Sequence, residues 1–148
     1  MARPVMVLNG PNLAMLGARE PDVYGSATFH DLDRACKEAG SSLDLDVDVR
    51  QTDNEATLVG WLHEAAHDGT PVILNPAAFT HYSYALRDAA AMRTAPLIEV
   101  HLTNPAARES FRRHSVIAEV ASGTVAGFGL ASYLLALQAI AHEPGEPR

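Results

Sequence analysis

Short apolar runs alternate along this chain with segments in which apolar residues recur every three or four positions. The runs predict strands, and the helical spacing predicts helices. We expect strands at Pro4–Leu8, Leu43–Val49, Pro71–Asn75, Pro96–His101 and within Val116–Val125. We expect helices at Thr28–Ala39, Asn54–His67, Tyr82–Arg93 and Leu130–His142, with a short helical piece at Ala106–His114. This alternation predicts an α/β fold, a parallel sheet with helices on both faces.

The second strand segment differs from the others. Between Leu43 and Val49, leucine and valine alternate with aspartate, which is typical of an edge strand with one solvated face. An edge position for this strand favours the order 2-1-3-4-5 of the flavodoxin-like fold. Ligands of such sheets bind beyond the carboxyl ends of the strands. Those ends carry the polar segments Asn9–Asn12, Asn75–His81 and His101–Thr103.

Length and composition place limits on organisation and partners. The 148 residues, 47% of them apolar, suit one globular domain. We expect this domain at residues 1–142 and a loose tail at residues 143–148, which contain two prolines and a glycine. No apolar run reaches the ~18 residues of a membrane span, and none resembles a signal peptide, so we expect a cytoplasmic protein. The net charge of −7 disfavours nucleic acid and anionic membranes as partners.

Cysteine and lysine counts limit the chemistry. The single cysteine, Cys36, excludes an internal disulfide and a cysteine-rich zinc site. The single lysine, Lys37, is the one candidate for a Schiff base or for pyridoxal phosphate attachment. Lys37 lies about 140° from Leu32 around its predicted helix, on the polar face. We therefore expect a solvated side chain and no Schiff-base chemistry.

One short motif needs a separate test. The segment His63–His67 reads H-E-x-x-H, a pattern that can bind zinc with the glutamate as a base. On the predicted helix, His63 and His67 lie about 140° and 180° from Leu58, which belongs to the apolar stripe. Both histidines are thus expected to face solvent. A zinc hydrolase that uses His63, Glu64 and His67 is kept as an alternative function.

Candidate site residues gather at the strand ends. Glu99 and His101 are two residues apart on one strand, so their side chains share a face. The first loop, which is far longer than the median of about 4–6 residues, contributes Asn12, Arg19, Glu20 and Tyr24. Asn75, His81 and the arginines Arg108, Arg112 and Arg113 complete the set. These groups are rich in donors and cations and lack metal-ligand spacing, which suits a small, polyhydroxylated, anionic substrate.

Longer segments around these positions match a known family in order and spacing. They are Asn9–Leu13, Leu16–Gly25, Asn75–His81, Ile98–Pro105, Ala107–Ser115, Val125–Leu130 and Tyr133–Leu137. Together they resemble type II 3-dehydroquinate dehydratases over about residues 5–140. The resemblance implies a flavodoxin-like catalytic domain and the third step of the shikimate pathway, in aromatic amino acid biosynthesis. In that step, 3-dehydroquinate loses water by anti elimination through an enolate, without metal, cofactor or Schiff base.

The resemblance also implies roles for individual residues. Tyr24 matches the general base that takes a proton alpha to the ketone. Arg19 matches the lid arginine, whose charge would lower the phenol pKa from its usual ~10. Asn12 matches the residue that helps hold a water against the enolate oxygen. His101 matches the general acid for the leaving hydroxyl, and Glu99 would orient it.

Binding and assembly positions follow in the same way. The resemblance assigns substrate contacts to Asn75, His81, Arg112 and the backbone at Leu102 and Thr103. Asp88 matches a residue that reaches the site of a neighbouring subunit, which implies a homo-oligomer, a dodecamer built from trimers. Departures from the family's usual residues are Ala14 for Asn, Ala77 for Gly, Phe79 for Tyr, Tyr82 for a small residue and Thr103 for Ser. None of them removes a catalytic group.

A second alternative is a non-enzymatic flavodoxin-like module, either a flavin carrier or a phospho-receiver. A receiver needs acidic residues after its first strand and an aspartate at the end of its third, but this chain has Asn9–Asn12 and Asn75 there. A flavin carrier needs a Ser/Thr-rich phosphate loop, which Asn9–Asn12 does not provide. Both comparisons favour the dehydratase.

Overall fold

A parallel sheet forms the centre of the protein. The computed structural model describes residues 2–18, 20, 22 and 25–143, and within them five strands pair in one sheet. The strands are β1 Arg3–Asn9, β2 Leu45–Gln51, β3 Val72–Asn75, β4 Leu97–His101 and β5 Gly123–Ala126. Their order is β2-β1-β3-β4-β5 and each neighbouring pair is parallel, which confirms the predicted topology.

Among the described residues, three α-helices connect successive strands, α1 Phe29–Ser42, α2 Glu55–Asp68 and α3 Tyr84–Ala91, and a further helix, α4 Ala131–His142, follows β5. Three of them begin after a residue whose side chain accepts a hydrogen bond from a backbone N–H in the first turn, namely Thr28, Asn54 and Ser83. Such caps satisfy N–H groups that have no partner within the helix. Within the described residues, no helix is both long and apolar enough to cross a membrane.

The two faces of the sheet are covered by different helices. Along β1, Val5 and Val7 point into a core that α1 and α4 complete, whereas Met6 and Leu8 point into a second core with α2 and α3. Burial on both faces explains why the central strands are continuous apolar runs. In β2, Leu45 and Val47 are buried, Val49 is partly buried, and Asp46 and Asp48 are exposed, as expected for an edge strand.

Two predictions after β4 are wrong in detail. The expected helical piece Ala106–His114 is instead two short 3₁₀ turns, Pro105–Ala107 and Ser110–Arg112, because the backbone is extended at Arg108 and Glu109 between them.

The expected last strand is shorter than predicted, since only Gly123–Ala126 pairs with β4. Val116 and Ile117 are buried in the core beside α2 and α3, and a turn follows in which the N–H of Val120 donates to the Ile117 carbonyl. Their apolar character therefore reflects packing, not strand pairing. The predicted tail at residues 143–148 lies outside the described residues except for Glu143, and stays a prediction.

The loop after β1 is held against the end of β3. The Gly10 N–H donates to the Asn75 carbonyl at 2.8 Å. A Cβ on Gly10 would lie 2.7 Å from the Pro76 carbonyl oxygen, so only glycine permits this approach.

Candidate active site

A cavity of about 230 Å³ opens at the carboxyl ends of β1, β3 and β4. It is in the place where sheets of this topology bind ligands. The predicted site residues that line it are Asn12, Asn75, His81, His101, Leu102, Thr103 and Arg112. The structure thus brings together residues from three separate parts of the sequence. Arg19 and Tyr24 lie outside the described residues.

His101 and Glu99 form a close pair at the end of β4. The His101 Nε2 lies 2.6 Å from the Glu99 Oε2, as their common face on the strand predicted. Glu99 is only 1% exposed. Nε2–H donates to this carboxylate, and Nδ1 is the ring nitrogen that no described residue engages. The imidazole is therefore held in one orientation at the cavity wall.

Two hydroxyl groups complete the surroundings of the Glu99 carboxylate. Thr80 Oγ1 donates to Oε2 at 2.5 Å, and Ser115 Oγ donates to Oε1 at 2.8 Å. Burial raises the pKa of Glu99, but the hydrogen bond and charge of His101, with the Thr80 and Ser115 hydroxyls, lower it by more. The net result is a pKa below the ordinary 4.5, so Glu99 is ionised near neutral pH.

Sequence reasoning missed both hydroxyls. Thr80 is adjacent to His81 in a segment that resembles the family, and this position next to a predicted site residue could have identified it. Ser115 reaches Glu99 only because the chain after β4 folds back, where the Val116 N–H donates to the Thr80 carbonyl at 2.8 Å.

His81 and Arg112 make a donor-rich wall of the cavity. His81 Nδ1 donates to the His114 carbonyl at 2.8 Å, so Nε2 is the nitrogen that no described residue engages. The Arg112 Nε donates to Glu109 at 2.8 Å, and its guanidinium carbon lies 4.7 Å from the centroid of the Phe111 ring. These contacts orient the guanidinium, a group well suited to carboxylate recognition.

The backbone after β4 adds further donors. The N–H groups of Leu102 and Thr103 donate to no described residue, while both residues line the cavity. Arg108 also lines it, with its side chain 18% exposed, and contacts the Thr103 hydroxyl at 3.5 Å. Arg108 was among the candidate site residues of the sequence analysis, but the family resemblance assigned it no individual role.

The first loop is anchored beside the cavity. Asn12 has a left-handed backbone with φ 71°, and its N–H donates to Asp53 Oδ1 at 2.9 Å. The Gln51 side-chain amide donates to the same Asp53 oxygen at 3.0 Å and to the Gly10 carbonyl at 3.2 Å. The end of β2 therefore positions the residue that was predicted to act on the enolate oxygen.

Ala77, one of the departures from the family pattern, also has a left-handed backbone, with φ 53°. A residue with a Cβ is about 1–2 kcal/mol less stable there than in the right-handed region. Its N–H donates to Asn75 Oδ1 at 3.1 Å. The strain is therefore located directly beside a predicted substrate contact.

The residues of the alternative zinc motif do not line the cavity. His63, Glu64 and His67 are exposed on α2, and Glu64 accepts two hydrogen bonds from Arg50 at 2.9 and 3.0 Å. The described residues include no group of three or more His, Cys, Asp or Glu side chains arranged to hold a metal. Lys37 is exposed, as predicted, and it forms an ion pair with Asp33 at 3.1 Å.

Asp88 lies on the outer side of α3, and its side chain is 71% exposed. It does not line the cavity of its own chain, and its described partner is the neighbouring Arg87 at 3.5 Å.

Comparison with known proteins gives one consistent answer. The family model described as Dehydroquinase class II matches residues 3–141. The chain is 56% identical over 137 residues to a 3-dehydroquinate dehydratase of Salinispora tropica, covering 93% of this chain and 96% of that protein. It is 52% identical over 140 residues to the enzyme of that name from Mycobacterium avium, covering 95% and 98%. The crystal structure of a type II dehydroquinase from Propionibacterium acnes superposes with a TM-score of 0.95 at 52% identity, covering 97% and 99%.

Proposed function

The chain belongs to the class II dehydroquinase family, and we propose that it converts 3-dehydroquinate to 3-dehydroshikimate and water in the cavity described above. This is the third step of the shikimate pathway. The observation that carries the assignment of the cavity is the buried Glu99–His101 pair beside a wall of hydrogen-bond donors. Neither the zinc hydrolase nor the non-enzymatic module has support from the site or the relatives.

The proposed reaction is an elimination that uses acid–base groups alone. Tyr24, activated by Arg19, takes the proton alpha to the ketone, and the electron pair that is left forms the enolate. A water held by Asn12 stabilises the enolate oxygen. The electron pair of the enolate then forms the new carbon–carbon double bond as the carbon–oxygen bond to the hydroxyl breaks. His101 donates a proton to that hydroxyl, which leaves as water.

The environment of His101 supports its role as the acid. Nε2–H is committed to Glu99, so Nδ1 is the nitrogen that can donate toward the leaving hydroxyl. An ionised Glu99 fixes the ring and balances its positive charge when it is protonated. Glu99 is thus a positioning residue in this proposal.

The cavity wall suits the oxygens of the substrate. Arg112 offers a guanidinium for the substrate carboxylate. His81, Asn75 and the N–H groups of Leu102 and Thr103 offer hydrogen bonds to hydroxyl and carboxylate oxygens. The donors come from the ends of β3 and β4 and from the segment after β4, which are packed against one another, so little reorganisation is needed on binding.

The assignment is tested by ultraviolet absorbance of the enone formed from 3-dehydroquinate. Tyr24→Phe and Arg19→Ala should each lower kcat by about 10²–10⁴, the usual value of an acid–base step. Circular dichroism should be unchanged in both variants. Turnover near that of the wild type in either one would contradict the assigned roles. Borohydride with substrate should not inactivate the wild type, because no imine forms.

We also propose that the active form is a closed oligomer, a dodecamer made of four trimers, in which Asp88 reaches the Arg112 of a neighbouring subunit. The exposure of Asp88 supports this, as do the large exposed apolar residues Tyr84 and Met92 at the two ends of α3. Asp88→Ala should raise KM, and light scattering should report an assembly. A fully active monomer would contradict the proposal.

A further inference from the structure

A chain of hydrogen bonds runs beneath the cavity from the end of β2 to the loop after β3. Asn9 Nδ2 donates to the Arg50 carbonyl at 3.0 Å, and the Tyr133 hydroxyl donates to Asn9 Oδ1 at 2.7 Å. Asn75 Nδ2 donates to the Tyr133 oxygen at 2.8 Å, and the Ala77 N–H donates to Asn75 Oδ1 at 3.1 Å. None of the proposed catalytic steps uses Tyr133 or Asn9.

The two ends of this chain determine the direction of every bond in it. The Arg50 carbonyl can only accept, so it selects the nitrogen of the Asn9 amide and leaves Oδ1 to face the phenol. The Ala77 N–H can only donate, so it selects the oxygen of Asn75 and leaves Nδ2 to face the phenol. The single Tyr133 proton therefore goes to Asn9, and its oxygen accepts from Asn75.

Burial keeps this arrangement intact. Asn9 and Tyr133 are 0% exposed and Asn75 is 3% exposed, so solvent does not compete for these groups. Burial also raises the pKa of the Tyr133 phenol, which therefore keeps its proton. In such surroundings an unpaired polar atom is costly, which favours the one fully bonded arrangement.

One donor in the chain is still available. Nδ2 of Asn75 carries two protons, one is given to Tyr133, and no described residue accepts the other. Because Asn75 lines the cavity, we infer that Tyr133 is a positioning residue: together with the Ala77 N–H, which selects the amide oxygen, it fixes the Asn75 amide so that the second N–H of Nδ2 is presented to a substrate oxygen. This inference rests on the proposed function, since it concerns substrate binding by that site.

A double-mutant cycle on kcat/KM tests the inference, with Tyr133→Phe and Asn75→Ala made singly and together. Tyr133→Phe should lower kcat/KM about tenfold, mainly through KM, the equivalent of about one lost hydrogen bond. Asn75→Ala should lower it at least as much. In the Asn75→Ala background, Tyr133→Phe should change kcat/KM by less than about twofold, because the group that it positions is gone.

Ser132→Ala is the matched control for loss of a buried hydroxyl. Ser132 is adjacent to Tyr133 on α4, is also 0% exposed, and its Oγ accepts from the Phe128 N–H at 3.0 Å, away from Asn75. This variant should lower Tm and leave kcat/KM within about twofold of the wild type. If Tyr133→Phe does not fold, Asn9→Ala replaces it in the cycle. In that variant the phenol loses the acceptor that orients it, so its hold on the Asn75 amide weakens and the same non-additive loss is expected.

The outcomes are distinct. An equal loss from Tyr133→Phe in both backgrounds, or wild-type kcat/KM in that variant, would overturn the inference. Wild-type kcat/KM in Asn75→Ala would overturn the binding role of Asn75 and the inference with it, while the dehydratase assignment would stand. Absence of enone formation by the wild-type protein would instead overturn the proposed function itself.

Discussion

Two of the places where histidine and glutamate occur together in this protein differ in their surroundings. At the end of β4, Glu99 is 1% exposed and holds His101 at 2.6 Å. On α2, the side chain of Glu64 is 45% exposed and its hydrogen-bond partner is Arg50, not the neighbouring His63 or His67. The second place matches a known zinc motif by sequence, whereas the first matches no short motif.

The comparison shows that the position in the fold decides the chemistry. Strand ends on a parallel sheet converge, so residues from distant parts of the chain can surround one carboxylate. Glu99 accepts hydroxyl hydrogen bonds from Thr80 and Ser115 in this way. A helix that covers the sheet buries one face only, so side chains on its outer face remain in solvent.

The largest expected difference between the two places is in catalysis. His101→Ala should lower kcat by about 10²–10⁴, because the leaving hydroxyl loses its proton donor. His63→Ala is the matched control and should leave kcat within about twofold of the wild type. Steady-state enone formation measures both. A comparable loss in His63→Ala would reverse the comparison.

A smaller effect is expected in stability when a hydroxyl around Glu99 is removed. Thr80→Val keeps the shape of the side chain but takes one hydrogen bond from a buried carboxylate, which should lower the free energy of unfolding by about 1–3 kcal/mol. Thr94→Val is the control, because the exposed Thr94 hydroxyl donates to the Ala66 carbonyl on the other side of the protein. It should cost no more than about 0.5–1 kcal/mol. Urea unfolding compares the two variants, and equal losses would contradict the prediction.

The response to acid should also separate the two glutamates. The pKa of each is lowered in the folded protein, so the unfolded state binds more protons as the pH falls. Each therefore adds stability above the ordinary pKa of 4.5, and that stability is lost as the pH falls through the folded pKa. Salt should screen the contribution of exposed Glu64 but much less that of buried Glu99. The free energy of unfolding of the wild type, Glu99→Gln and Glu64→Gln, measured between pH 3 and 6 at low and high salt, gives the contribution of each glutamate. A Glu99 contribution that vanishes at high salt would contradict the prediction.

The smallest effects are expected on α2. Glu64→Gln removes an exposed ion pair with Arg50, which should cost about 0–1 kcal/mol of unfolding free energy and nothing in kcat. Chelators should likewise leave enone formation unchanged. Activity that is lost on chelation and restored by zinc would show that the motif is functional after all.

Much of this protein is determined by its sequence alone, because the relevant information is local. Periodicity predicted the sheet, its strand order and the exposure of Lys37 and His63, since each depends on which face of an element is apolar. The two-residue spacing of Glu99 and His101 predicted that they would meet. The strand prediction failed at Val116 and Ile117, because these two apolar residues pack into the core from a turn and pair with no strand.

Tertiary structure alone decided what surrounds the predicted groups. Thr80 lies 19 residues from Glu99 along the chain, Tyr133 lies 58 from Asn75, and Asn9 lies 124 from Tyr133. No periodicity relates residues at such distances; the strand order does, by bringing β1 next to β3 and packing α4 over both. Hydrogen-bond direction is then settled by burial, because a buried donor or acceptor must find its partner among whatever groups the fold has placed there.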